Sequence, residues 1–416
     1  MKILIVSTSD IQGGAARAAY RLHSALCQEN IDSRMLVQTK SSDNFRVLGP
    51  ITKIKKVINR LRPIFDSISV KFYKKKTQTL FSPAMLPFSD ITNKINELNP
   101  DIVHFHWVAG GMLRIEDFSK IKAPIIWNVQ DMWAFTGGCH YDEECGGFKN
   151  RCGNCKVLGS QYSYDLSRRV FNRKVAVFSK LPKLVIVGVS RWISSCAKES
   201  SLFKNRPVVN LPNAFNTTLF SPIDKKIAKK IFNIPQAKKI ILFGAMNALG
   251  DPRKGALELF NALNLVNVEN TDFVIAGCSK PKDAPQLKYP THYIEPLSDE
   301  VSLPLMYNTA DVMIVPSIQE NLANSIIESL ACGVPVVAFD IGGNRDMINH
   351  KVNGYLAKPF DVQDMARGIE WVLNHNNYCE LSQEARNKVL TTFDSRLVAR
   401  QYIDLYSNVL KGDYEF

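Results

Sequence analysis

The chain reads as an α/β protein built of two domains, and three observations lead there. Its 416 residues are too many for one ordinary core, so two domains of about 200 residues are expected. With 45% hydrophobic and 22% charged residues it has the composition of a globular protein. Strand–turn–helix units recur in both halves, at residues 2–7 with 15–29 and at 311–315 with 325–332 and 334–339.

The first unit opens the chain. A buried-strand pattern at 2–7 runs through SDIQGG into the helix at 15–29. Gly13 and Gly14 let the backbone approach a ligand at the helix start, where free N–H groups favour phosphate or hydroxyl oxygens; an ordinary tight turn explains them equally well. The start lacks a signal-peptide pattern, and no apolar run approaches about 18 residues, so a cytoplasmic protein is expected. Residues 51–76 hold nine Lys/Arg and one Asp among Ile, Val, Leu and Phe, with Pro63 expected to split them into two short helices. Such a mixture suits an anionic membrane surface, or else a solvated insertion.

The strand at 101–107 places His104 and His106 on one side, as metal ligands or as structural histidines. The next strand, 124–129, ends in Gln130-Asp131-Met132-Trp133. Cys139, Cys145, Cys152 and Cys155 follow in a Gly-rich insertion. Four thiols ending in Cys-x2-Cys suffice to close a structural zinc site; free thiols and disulfides are the alternatives. A strand at 183–190 and a helix at 191–200 complete this half. Charge is lopsided: residues 1–205 carry 31 Lys+Arg against 16 Asp+Glu, a net +15, and 206–416 carry 21 against 23, a net −2. An anionic partner for the first half is implied.

In the second half a strand at 239–246 feeds the loop NALGDPRKG, and a helix begins at 256. Arg253 and Lys254 on that loop are cations suited to a diphosphate leaving group, unless they are simply exposed surface charges. Strands at 273–277 and 292–296 follow. Glu320 then falls on the loop after the strand at 311–315, and Glu328 in the helix behind it. Both would face the crevice beyond the strand ends, where open α/β sheets bind ligands. Ser325-x-x-Glu328 also fits a capping box, which would reduce Glu328 to a helix cap. Helices are expected at 361–373 and 395–410. No dinucleotide fingerprint or Walker loop is present, which argues against hydride and P-loop chemistry.

Glu320-x7-Glu328 followed by GVPVVAFDIGG, Arg253-Lys254-Gly255, and DMWAFTGGC…C…CGNC together resemble the retaining glycosyltransferases of family 4 (group 1). The Cys-rich stretch is similar to a subgroup associated with exopolysaccharide and colanic-acid-type synthesis. The resemblance implies the GT-B fold, two Rossmann-like domains facing across a cleft: 1–205 plus 394–416 on the acceptor side, with the insertion at 137–156, and 206–393 binding the nucleotide sugar. It implies that Glu320 contacts the donor sugar, Arg253 and Lys254 hold the diphosphate, and Glu328 binds ribose. N–H groups near Ala323 and Asn324, with Gly13 and Gly14, would add donor contacts, and His106 would serve the acceptor side. Where the family usually has a His near the donor sugar, this chain has Gln130, an amide that hydrogen-bonds without titrating. No catalytic metal is expected, and zinc only as a structural ion. The implied partners are a nucleotide-diphosphate sugar, a lipid-linked saccharide acceptor, and the anionic inner leaflet through 51–76, making the protein peripheral at the cytoplasmic face; nucleic acid is not expected. The alternative is a non-catalytic, basic, zinc-stapled protein of this fold that binds RNA or another polyanion; a phosphorylase of the same architecture is a third reading.

Overall fold

The structure is a computed structural model, and it describes all residues except 182, 245–249, 282–285, 298, 300 and 414–416. The chain forms two compact units, Met1–Ala214 with Ser395–Phe416, and Phe215–Asp394.

Unit 1 is a seven-stranded parallel sheet made of β1 (Lys2–Ser9), β2 (Asp32–Thr39), β3 (Val47–Leu48), β4 (Ile102–Phe105), β5 (Ile125–Val129), β6 (Leu184–Gly188) and β7 (Val208–Asn210). The order is β3-β2-β1-β4-β5-β6-β7, so the winding direction reverses between β1 and β4. Its strands are apolar runs buried on both faces, as a covered parallel sheet requires. The expected boundary at 205 moves to Ala214, because β7 pairs with β6 through Ile186–Val208, Val187–Val209 and Gly188–Asn210. The helix Ser395–Lys411 returns to this unit and is held by polar bonds as well as packing. His104 Nδ1 lies 2.7 Å from Tyr406 Oη and its Nε2 2.8 Å from Asn128 Oδ1, while Asn128 Nδ2 donates to Tyr402 Oη at 2.7 Å. His104 is therefore a structural histidine with both nitrogens engaged, not a metal ligand.

Pro63 does not split the basic segment. The helix Lys53–Asp66 runs through it, and the break comes at Ser67, before the short helix Ile68–Lys71. A proline leaves the carbonyl four residues back without its helical donor. Here that carbonyl, on Asn59, accepts from Gln38 Nε2 at 2.8 Å, and Asn59 Nδ2 donates to Gln38 O at 2.9 Å, so the helix is repaired from β2. The helix also faces the opposite way from an ordinary one. Its buried residues are Arg62 and Asp66. Arg62 Nε donates to Gly111 O at 2.6 Å, and Asp66 accepts from the Ala84, Met85 and Leu86 amides. Ile54 is 73% exposed, and Val57, Ile58, Leu61, Ile64, Phe65 and Ile68 are exposed with it.

Unit 2 is a six-stranded parallel sheet of β8 (Lys239–Gly244), β9 (Thr271–Ala276), β10 (Thr291–Ile294), β11 (Val312–Val315), β12 (Val336–Phe339) and β13 (Gly354–Ala357), ordered β10-β9-β8-β11-β12-β13. The winding reverses between β8 and β11. The end of the strand expected at 239–246, and Asn247 to Leu249 of its loop, lie outside the described residues. Ile241, Phe243, Ile275, Ile314, Val337 and Phe339 form the buried core with the helices Ala256–Leu265 and Val362–Leu373. Among the described residues no helix is long and apolar enough to cross a membrane.

Candidate functional site

In a doubly wound sheet the two strands at the reversal send their following loops to opposite faces, and a crevice opens between them. In unit 2 those strands are β8 and β11. The loop after β8 carries the turn Pro252–Lys254, and the loop after β11 carries Glu320. The two loops are stitched: Ile318 N–H donates to Arg253 O at 2.9 Å, and Lys254 Nζ donates to Glu320 Oε2 at 3.0 Å. The Glu320 side chain is 13% exposed and that of Lys254 30%, so the pair sits at a partly wet mouth.

Two glycines make this approach possible. Gly255 has φ +71°, and a Cβ there would fall 1.9 Å from Pro316 O; Gly342 has φ +51°, and a Cβ would fall 1.9 Å from Glu320 O. Only glycine takes these left-handed positions against a neighbouring carbonyl without strain.

Arg253 is not presented alone. Its Nε lies 3.1 Å from Asp251 Oδ1 and its Nη2 2.8 Å from Asp251 Oδ2, a fork that holds the Asp251 carboxyl below its usual range. Asp251 also caps the turn by accepting the Arg253 N–H at 3.0 Å. The sequence reading passed over Asp251, although Asp before Pro at the start of a helical turn is a legible cap signal.

Glu328 is buried, and the capping-box reading fails. The helix is Asn324–Ala331, its N-cap is Ala323 rather than Ser325, and no side chain caps it. Tyr307 Oη donates to Glu328 Oε2 at 2.9 Å instead, fixing the carboxylate from the helix Ser302–Tyr307. Ala323 and Asn324 stand where expected, at the positive end of that helix.

In unit 1 the predicted residues gather on the strand ends beside the reversal. Gly13 is the N-cap of the helix Gly14–Gln28 with φ +96°, and nothing lies within 4 Å of where its Cβ would be. Asp10, unnoticed in the sequence, is buried and accepts from the Ser41 and Ser42 amides, which shapes this loop. Gln130 Nε2 donates to Asn213 Oδ1 at 2.9 Å, and Asn213 Nδ2 returns a bond to Gln130 Oε1 at 3.2 Å. His106 Nδ1 stands 3.4 Å from Gln130 Nε2. Burial and His104 hold the His106 ring well below the ordinary histidine range, so it is neutral. Among the described residues its buried Nε2 has no hydrogen-bond partner, and His106, Trp107, Gln130 and Asp131 line a small recess. Burial works against the Asp131 carboxylate, but His140 at 2.6 Å, the Trp133 amide and Trp107 Nε1 outweigh it and keep it ionised.

The four cysteines lie just beyond. Cys139 and Cys155 are buried, Cys152 is half-buried and Cys145 exposed. Cys139 is pushed well up by its hydrogen bond to Cys155 and by burial, and the same bond pulls Cys155 down. Among the described residues no three His, Cys, Asp or Glu side chains already surround a common point as a metal cage.

Residues 224–389 match the family model described as Glycosyl transferases group 1. An N,N'-diacetylbacillosaminyl-diphospho-undecaprenol alpha-1,3-N-acetylgalactosaminyltransferase of Campylobacter jejuni is 26% identical over 219 residues, 51% of this chain and 57% of that protein. The chain thus spans little more than half the length of this curated relative. Among solved structures, sucrose-phosphate synthase from Thermosynechococcus elongatus superposes with a TM-score of 0.68 at 16% identity, over 99% of this chain and all of the other. HepE of Anabaena, in complex with UDP and glucose, gives 0.66 at 14% identity over 98% of this chain and 100% of the other. The two parallel-sheet α/β units are therefore those of the GT-B fold.

Proposed function

We propose, from the group 1 glycosyltransferase domain at residues 224–389, that this chain transfers a sugar with retention from a nucleotide-diphosphate sugar to a lipid-linked saccharide, in the synthesis of a surface polysaccharide. The observation that carries the reading is the Lys254–Glu320 contact at the sheet reversal of unit 2. A cation and a carboxylate there match the two halves of the donor: Lys254 meets the diphosphate, and Glu320 accepts from sugar hydroxyls. Arg253, preset by Asp251, adds charge on the phosphate side. Glu328, oriented by Tyr307, takes the ribose hydroxyls, and the helix start at Ala323 and Asn324 adds its positive end.

In the reaction the bond from the anomeric carbon to the phosphate oxygen breaks, and the nucleoside diphosphate leaves with the electron pair. The acceptor hydroxyl forms the new bond on the same face, and its proton passes to the departing phosphate. Charge builds on that phosphate in the transition state, so a cation fixed beside it lowers the barrier. Neither Gln130, which has no titrating proton, nor His106, which stays neutral, is charged in this scheme. Both orient acceptor hydroxyls.

The lipid-linked acceptor is supported by the undecaprenol named for the Campylobacter relative and by the outward apolar face of the helix Lys53–Asp66. Lys53, Lys55, Lys56 and Arg60 lie on that same helix among the exposed Ile and Phe side chains. Apolar groups facing water on a helix that also carries these cations suit an anionic bilayer surface, where each near-surface cation contributes about 1 kcal/mol.

The experiment is a thermal-shift screen of UDP-, GDP- and ADP-sugars. The right donor at 100 times its Kd stabilises the protein by about 2.7 kcal/mol. Absence of a shift with every nucleotide sugar would overturn the reading, and saturable RNA binding in its place would favour the polyanion alternative.

A further inference from the structure

The proposed transfer leaves one constellation unused, the thiols of the insertion after β5. Their spacing is Cys139-x5-Cys145-x6-Cys152-x2-Cys155. The fold draws them together. Cys139, Cys152 and Cys155 are near enough for each to shift the ionisation of another. A Cβ on Gly147 would lie 3.6 Å from Cys145 Sγ and 3.8 Å from Cys152 Sγ, so those two sulfurs flank one point.

We propose that Cys139, Cys145, Cys152 and Cys155 bind one zinc ion as four thiolates, a structural site that pins the segment after β5 to the helix Leu166–Phe178. Soft thiolate donors select zinc, and four protein ligands leave no open position for chemistry. Each thiol releases its proton to solvent as the ion binds. The ion draws the four sulfurs in from their present spacing, the exposed Cys145 among them.

Two features of the surroundings fit an anionic centre of this kind. The first is donors aimed at sulfur: Gly137 N–H points at Cys152 Sγ at 3.1 Å and Gly147 N–H at Cys145 Sγ at 3.5 Å. The knuckle is braced further, since Cys155 N–H donates to Asp165 Oδ2 at 2.9 Å and Arg168 Nε to Cys152 O at 2.8 Å. The second is Lys174, which is fully buried. Its Nζ donates to the carbonyls of Trp133 and Thr136, on the segment that leads into Cys139. A zinc ion with four thiolates carries net charge −2, which a lysine amine held on the adjoining segment would offset.

The test uses the full chain purified under reducing conditions without chelator. Elemental analysis is expected to give about one zinc per chain, and X-ray absorption at the zinc edge four sulfurs at about 2.3 Å. Cys145→Ser, at the exposed position, is expected to keep the far-UV circular dichroism of the parent and to lose its zinc to a competing chelator at least about tenfold faster. Zinc well below one per chain with all four thiols alkylatable would overturn the proposal. So would a nitrogen- or oxygen-rich zinc shell, iron in place of zinc, or a Cys139–Cys155 disulfide in the mass spectrum.

Discussion

Lys254→Met is the substitution that most directly probes the proposed donor site, because it keeps the length of the side chain and removes only its charge. Lys254 Nζ meets Glu320 Oε2 at 3.0 Å, with the lysine side chain 30% exposed and the carboxylate 13%. Solvent reaches the pair, so its loss costs stability only about 1 kcal/mol or less. The loss to a bound diphosphate is larger. A charge-assisted hydrogen bond is worth about 1.5–3 kcal/mol, and about 2 kcal/mol corresponds to roughly thirtyfold in affinity. Turnover falls further, by about 10²-fold or more, because the leaving phosphate is most charged in the transition state. The assay is calorimetric titration of the nucleoside diphosphate selected by the thermal-shift screen, with the matching nucleoside as control, followed by kcat/KM for the nucleotide sugar. Binding of the nucleoside should be unchanged. Unaltered diphosphate affinity and near-normal turnover in a well-folded Lys254→Met protein would refute the assignment.

Gly342→Ala places a methyl 1.9 Å from Glu320 O at φ +51°; left-handed strain alone costs about 1–2 kcal/mol, and the Glu320 loop must also shift. A lower Tm with loss of turnover beyond that of an exposed control substitution is the expected result. Ile54→Ser combined with Phe65→Ser alters two exposed side chains, so Tm should hardly move while co-sedimentation with phosphatidylglycerol vesicles drops; equal binding by the parent to phosphatidylcholine vesicles would remove the electrostatic part of the reading. Acid should destabilise unit 1. Burial holds His23 and His104 at about 4, below the 6.5 of an ordinary histidine, so the unfolded chain binds more protons between those values. Stability is then full above pH 6.5 and is lost as pH falls towards 4, at up to about 1.4 kcal/mol per pH unit for each histidine. His104→Asn should flatten that slope in urea titrations at a series of pH values.

The segments that carry Arg253, Lys254, Glu320 and Glu328 were legible because their signals are local. Arg253-Lys254-Gly255, Glu320 and Glu328 each sit at a strand–helix junction whose geometry follows from apolar runs and glycines, and β8, β11 and β12 were recognisable as such runs. The partners that orient those groups were not legible. Tyr307 reaches Glu328 from 21 residues away, Asn213 meets Gln130 across 83, and Tyr406 meets His104 across 302; nothing in the periodicity of either segment points to the other. Short strands failed for a related reason: β3 and β7 have two and three residues, too few to carry a period, and are defined by the neighbours they pair with.

The helix Lys53–Asp66 shows where pattern reading is blind in principle. Periodicity marks an apolar face but does not say what that face meets, and the usual inference sends it to the core. Here the core takes the polar face, because Arg62 and Asp66 satisfy backbone groups at Gly111, Leu86, Pro87, Ala84 and Met85. The same Asn59–Gln38 exchange that carries the helix past Pro63 also anchors it to β2. Once those polar contacts fix the helix's rotation, Ile54, Ile58 and Phe65 have nowhere to point but outward. An outward apolar face costs solubility unless something covers it. Arg62→Leu would test this order of causes: if the polar anchor sets the rotation, the substitution should destabilise unit 1 and weaken vesicle binding together, although it removes no group that touches lipid.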